Sequence, residues 1–331
     1  FWVGRYAERA EFNSRLLRLT LQFLVTGEND YSGCLQRLLV AVTEQTVTHP
    51  GFVGAGAEQR LQAPEQELLA VIADRQRAGS LWQTMHNLLL AARSLRDRLS
   101  TDTWSVVNDI DDELDSLQHI APERLADALD ELDNLVKALS AFSGLTLENM
   151  ARGRGWTFLD MGRRLERAIQ TTRLLNSLLV PPGDDTAAAV LMESLLLVVE
   201  SMMSYRRRYR SGVSVASLLE MVVTDALNPR SLAYQLARME EHVNDLPDER
   251  QPGYLSDLKR LALESATLVR LADVGQLAEV NPQTQRRDTL AAFLGGMSQR
   301  LPALSNSLAA AYFQVAETPH QLVQFRVPSK S

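Results

Sequence analysis

Cysteine is almost missing from this chain: Cys34 is the only one in 331 residues. No disulfide can form within the chain and no cysteine metal cluster can assemble, so the composition fits a reducing, cytoplasmic setting. Cys34 lies in an apolar helical stretch and reads as a small core residue. Lysine is nearly as scarce, at 137, 259 and 330 only. Arginine therefore carries almost all the positive charge, and its planar fork suits carboxylates and phosphates; a GC-rich genome explains the bias equally well. Net charge is −7, so there is no basic excess to displace counterions from a nucleic acid. No apolar run approaches the roughly 20 residues that span a bilayer, which argues against a membrane protein. No signal peptide is visible, and the chain opens inside a helical pattern at Phe1-Trp2, so residues are expected ahead of Phe1.

Aromatics make up 6% of the chain, and there are 17 Gly and 12 Pro. Leu, Ala and Val supply most of the apolar residues, which favours helices over a β-sandwich. No alternating β-branched run marks a strand. Apolar spacing predicts helices near 3–26, 32–48, 64–77, 81–99, 101–119, 122–143, 157–180, 185–209, 214–226, 229–243, 254–273, 283–300 and 303–316. Ser80 and the Ser100-Thr101-Asp102 cluster read as helix caps. Gly27-Glu28-Asn29-Asp30 and Pro181-Pro182-Gly183-Asp184 read as breaks, and the segment after Pro319 as extended. The fold class is therefore all-α: a large antiparallel helical bundle made of two pseudo-repeats.

The repeat rests on a phrase that occurs twice. Gly4-Arg5-x-x-Glu8-Arg9-Ala10, followed by Arg15-Leu16-Leu17, returns as Gly162-Arg163-x-x-Glu166-Arg167-Ala168 with Arg173-Leu174-Leu175. The offset is 158 residues, about half the chain. Such recurrence points to duplication, giving halves of 1–150 and 151–331 that share one core in a single domain. On a helix, Arg5 and Arg9 lie one turn apart, with Glu8 one turn after Arg5. Trp2, Phe12 and Leu16 fall on the same side, so the charges border apolar surface. Buried Arg and Glu are costly unless paired. The cluster is thus either a satisfied network or a site awaiting an anion. Tyr205-Arg206-Arg207-Arg208-Tyr209-Arg210 adds three adjacent arginines, of which at least one is expected to turn inward.

Other signals are weak. No P-loop and no G-x-G-x-x-G occurs, and Arg152-Gly153-Arg154-Gly155 reads as a linker. The histidines are 49, 86, 119, 242 and 320; Glu317 to His320 has metal-ligand spacing, but Pro319 interrupts it, so no metal site is expected. His49 and His242 fall near helix ends and read as caps. Asp111 and Asp115 share a helix face and could hold Mg²⁺, but a solvated face is the ordinary reading.

Taken in order, these segments resemble the Alpha-E family, bacterial all-helical domains named for a Glu-Arg motif. The resemblance spans nearly the whole chain. It rests on Gly4-Arg5-Tyr6 with Glu8-Arg9-Ala10-Glu11, Arg93 with Arg96-Asp97-Arg98 and Ser100, Trp104 and Asn108. Gly162-Arg163 with Glu166-Arg167, Tyr205 to Tyr209, and Asn228-Pro229-Arg230-Ser231-Leu232-Ala233 complete it. The resemblance implies a partner, a circularly permuted ATP-grasp ligase in the same chain or operon, within a peptide-forming or peptide-modifying system. It implies ATP and Mg²⁺ on that partner and no cofactor bound by this domain. Phe12 and Leu88–Ala91 depart from the family pattern by placing apolar groups where polar ones are usual. If only one copy works as a site, the expected one is therefore the second, with Arg163, Glu166 and Arg167.

Three functions are expected. The first is a substrate-handling domain that binds an acidic peptide or activated carboxylate through Arg5, Arg9, Arg163, Arg167 and one or more of Arg206, Arg207 and Arg208. The second is an enzyme acting on the ligated product by acyl transfer or rearrangement, with Glu166 or Glu8 as acid or base. The third is a purely structural interaction module.

Overall fold

The computed structural model describes residues 1–26, 32–120, 124–181, 185–210, 212–247 and 254–313. All regular structure among these residues is helical. The helices are α1 (Trp2–Thr26), α2 (Ser32–Thr46), α3 (Ala57–Gln62), α4 (Glu65–Ala73), α5 (Leu81–Arg93), α6 (Thr101–Ser116) and α7 (Leu125–Asn149). They continue with α8 (Arg154–Leu179), α9 (Asp185–Val198), α10 (Met202–Tyr209), α11 (Val215–Leu219), α12 (Leu232–Asp245), α13 (Asp257–Arg270), α14 (Val274–Ala278) and α15 (Asp288–Tyr312).

Two long helices form the centre. Between Val3 and Leu21, α1 is buried on nearly every side, and α8 is buried likewise between Leu159 and Leu179. A helix enclosed all round is a core helix rather than a surface one. Around α1 pack α5 and α7; around α8 pack α12 and α15. In turn α6 lies on α5 and α7, and α13 lies on α12 and α15. Both α2 and α9 touch α1 and α8 together. One contiguous apolar cluster draws on residues from both halves, from Leu16 and Leu38 to Leu174 and Leu304.

The α1–α8 crossing is closer than side chains allow. A Cβ at Gly4 would lie 2.1 Å from the Leu159 carbonyl oxygen, and one at Gly162 would lie 2.2 Å from that of Phe1. Each glycine thus meets the residue three places before the other. Partners also rise together along the two helices, from Phe1 beside Gly162 to Glu8 with Arg167. Hence α1 and α8 run in the same sense, where antiparallel neighbours were expected.

Several boundaries differ from the apolar pattern. The stretch expected as one helix over 185–209 is broken, and its two parts meet at a 118° bend. Glu200 adopts a left-handed φ of 54° there, and the Ser201 amide donates back to Leu196 O at 2.8 Å, closing α9. The opposite happens at Pro302: one helix, α15, runs through it. A mid-helix proline costs about 3 kcal/mol. Burial of Met297, Leu301, Leu304 and Leu308 on the same helix outweighs that, at roughly 1.5–3 kcal/mol for each side chain. α8 begins at Arg154, so half of the expected Arg-Gly linker is helical. Short α3 and α14 carry too few residues to show a period. Ser80 and Ser100 cap α5 and α6 through their hydroxyls, as read. The breaks at 27–30 and 182–184, the segment after Pro319, and His320 lie outside the described residues.

Gly4→Ala and Gly162→Ala are each expected to destabilise the fold by about 3 kcal/mol, because the obstacle is backbone that no rotamer can clear. Gly144→Ala, in α7 with nothing within 4 Å of its Cβ, is expected to gain about 0.4–1 kcal/mol. Urea unfolding of the three variants checks this, and equal midpoints would contradict the backbone-contact account.

Candidate functional site

The close crossing decides where the repeated charges go. With no Cβ at Gly4 or Gly162, the side chains that follow cross to the opposite helix. Arg5 Nε donates to Glu166 Oε2, and Arg5 Nη1 donates to Ser305 Oγ on α15 at 2.7 Å. Arg9 forks onto the same carboxylate, Nε to Oε1 at 2.6 Å and Nη2 to Oε2 at 3.0 Å. Gln170 Nε2 adds a further bond to Oε1 at 2.8 Å. The exchange is reciprocal. Arg167 Nε donates to Glu8 Oε1, and its Nη2 to Oε2 at 2.7 Å. Both glutamates are buried, Glu166 completely.

The two copies are not equally satisfied. Arg163, which matches Arg5, has its Nε 3.8 Å from Glu8 Oε2, and that buried Nε has no hydrogen-bond partner among the described residues. Phe12 stands where the second copy has Gln170, so no amide on α1 reaches Glu8 one turn on. Arg230 approaches instead, with Nη1 3.9 Å from Glu8 and Nη2 3.4 Å from Glu11 Oε1. The loop before α12 brings it there: buried Asn228 donates to Met221 O at 3.0 Å, and Pro229 O accepts from Arg167. Glu11 also takes Arg15 Nη2 at 2.8 Å, and the other arm of Arg15 pairs with Glu200.

Electrostatics follow from this geometry. Burial alone would push the Glu166 carboxyl up, but Arg9 and Arg5 overcome it and hold the pKa at about 2. Glu11 is likewise held at about 2: burial raises it, and Arg230, Arg167 and Arg15 lower it further. Burial lowers the pKa of Arg163, yet a guanidinium stays charged in a protein.

The sequence-derived residues Arg5, Glu8, Arg9, Arg163, Glu166 and Arg167 therefore meet in one place. Arg206, Arg207 and Arg208 do not join them. Arg206 and Arg207 are exposed on α10, and Arg208 pairs at the surface with Glu220 at 2.6 Å and Asp225 at 2.7 Å. The inward residue of that segment is Tyr205, whose hydroxyl bonds Ser217. Arg230, Glu11, Arg15 and Glu200 belong to the network without having been assigned a role. Their positions in the motifs were visible; their convergence depends on a loop and a bend that spacing does not reveal.

Other candidates resolve into packing. Cys34 is fully buried, and burial pushes its thiol up to about 11, which suits a core residue and not a nucleophile. Asp111 pairs with Arg93. His242 Nε2 lies 2.8 Å from Asp160, which also accepts from Arg164, so this histidine bridges α12 to α8. Among the described residues no group of three or more His, Cys, Asp and Glu could hold a metal ion. No single helix there is long and apolar enough to cross a membrane.

The family model whose description is "a predicted alpha-helical domain with a conserved ER motif", Alpha-E, matches residues 1–313. The chain belongs to the Alpha-E family. Two Glu-Arg pairs of this chain, Glu8-Arg9 and Glu166-Arg167, are the ones exchanged across the crossing. The chain is 34% identical over 324 residues to uncharacterized proteins of Mycobacterium bovis and Mycobacterium tuberculosis. Each alignment covers 94% of this chain and 36% of the relative, so the Alpha-E chain spans about a third of their length. No solved structure matches it.

Glu166→Gln is expected to destabilise the fold by about 3 kcal/mol, since it strands Arg5 without a counter-charge. The wild-type carboxylate is depressed, so its contribution is present above the ordinary pKa of about 4.5 and is lost as pH falls toward 2. Thermal melts between pH 6 and 2 should show a steeper acid loss in wild type than in Glu166→Gln.

Proposed function

We propose that this chain is a helical accessory domain of an ATP-grasp-dependent peptide- or amide-forming system, and that it handles an acidic peptide or carboxylate. In this reading ATP and Mg²⁺ belong to the ligase, in the same chain or operon, and the system is cytoplasmic. The halves are duplicates sharing one core. The matched packing of α5 and α7 on α1 with α6 outside them, and of α12 and α15 on α8 with α13 outside them, supports that origin. The length of the relatives supports a domain that works beside others in one polypeptide.

One observation carries the anion-handling part. Arg5, Arg9, Arg163, Arg167 and Arg230 converge on only two central carboxylates, Glu8 and Glu166, with Glu11 beside them. Two of these arginines keep an open edge: the side chains of Arg9 and Arg230 are 31% and 26% exposed. A carboxylate arriving there meets planar donors already positioned by buried partners.

A structural role has its own support. Glu166 is fully buried and accepts from Arg5, Arg9 and Gln170, so at that pole the charges clamp α1 to α8. The clamp and the open edges coexist, because the clamp uses the buried faces of the same guanidinium groups. An acid–base role for Glu166 gains no support. A carboxyl held near 2 has no proton to give at neutral pH and is a poor base.

Calorimetric titration with a tetra-glutamate peptide tests the reading. Wild type is expected to bind saturably, and the double variant Arg9→Gln, Arg230→Gln to bind at least tenfold more weakly while melting as a folded protein. Absent binding in wild type, or equal binding in both, would overturn it.

A further inference from the structure

Arg15 and Arg173 occupy the same place in the repeated phrase, and their surroundings differ in a specific way. Arg15 is held by two carboxylates, Glu11 on its own helix and Glu200 beyond α9. In the second copy the position of Glu11 is taken by Ile169. The position of Glu200 is taken by Val47. The Thr48 amide donates to Thr43 O as that of Ser201 does to Leu196 O, and Val47 has the left-handed φ of 59° where Glu200 has 54°. Both pairs lie 153 residues apart. So the two acids that neutralise Arg15 are both apolar around Arg173.

Arg173 has no carboxylate within ion-pair distance among the described residues. Its Nη1 donates only to Gln45 O, at 3.5 Å. Two carboxylates act on it from further off. Glu166 is committed to Arg5 and Arg9, and Glu44 accepts from Ser177 at 3.1 Å. Arg5 and Arg9 lie near enough to add positive potential. Arg173 also lines a pocket of about 110 Å³ together with Ile169, Thr172, Ser298, Leu301 and Pro302. That is room for several waters, hence for a compact oxyanion. Ser298 can donate through its hydroxyl. Pro302, having no N–H, leaves the Ser298 carbonyl without its helical donor, so it can accept from a bound water or from a protonated ligand oxygen.

We propose that Arg173 is the centre of a second, smaller anion site, which takes a single carboxylate or phosphate group in the pocket between α8 and α15. The residue swap that emptied the counter-ion positions of Arg173 leaves a guanidinium that an exogenous oxyanion neutralises. Burial lowers the pKa of Arg173 without discharging it, so the site is cationic throughout the neutral range. This deepens the anion-handling reading by adding a site eleven positions from Gly162 on α8, distinct from the open edges of Arg9 and Arg230.

Titration at low ionic strength with inorganic phosphate, and separately with N-acetylglutamate, tests it and names the source of the oxyanion. Wild type is expected to bind one of the two saturably. Arg173→Gln should weaken that binding at least tenfold. Val47→Glu should do the same by restoring an internal carboxylate. It lies on an exposed turn, so the fold is kept and it decides alone if Arg173→Gln fails to fold. No saturable binding of either probe to wild type, or undiminished binding in the folded variants, overturns the proposal. The tetra-glutamate titration reports through Arg9 and Arg230, so it can succeed while this fails.

Discussion

Where α1 crosses α8, the carbonyl oxygens of Phe1 and Leu159 sit where a Cβ of Gly162 or Gly4 would be. Backbones this close leave no room for a layer of apolar side chains between them. Whatever follows along each helix must reach past its neighbour. Arg5 and Arg9 thus meet Glu166, and Arg167 meets Glu8, each from the other helix. The outer helices α5, α7, α12 and α15 then close around a pair whose charged crossing is set within the shared apolar core.

A charged centre is stable only if every ion finds a partner. Glu166 does so fully, and its depressed pKa measures how strongly its environment favours the ionised form. The Glu8 pole is looser, with Arg163 at 3.8 Å and Arg230 entering from a distant loop. The difference traces to single residues. Gln170 and Phe12 occupy matching places, as do Ile169 and Glu11. Each swap replaces a polar group by an apolar one in only one half. Two helices that carry the same phrase but have unequal partners give a molecule with one saturated pole and other arginines left partly open.

In the function proposed above, that division separates stability from recognition. The clamp orients guanidinium groups by their buried faces, and their exposed edges remain free to meet carboxylates. Such an arrangement suits a domain that positions a substrate for chemistry elsewhere.

Helix content was legible from composition and period, and the glutamate–arginine pairs from the repeat itself. Caps at Ser80 and Ser100 were equally plain, because a hydroxyl before an apolar period has a local meaning. The bend at Glu200, the unbroken helix through Pro302 and the arrival of Arg230 were not. Each depends on packing between residues far apart in the chain, which outweighs local preference. The same holds for Arg206 to Arg208: three adjacent arginines suggest an inward one, yet Tyr205 takes the buried face and Asp225 and Glu220 hold Arg208 outside. Residue order alone named the charged pairs and the recurrence of their phrase. Which arginine is saturated and which stays open was settled by the α1–α8 contact, because only in three dimensions do residues 157 apart, Arg9 and Glu166, become partners.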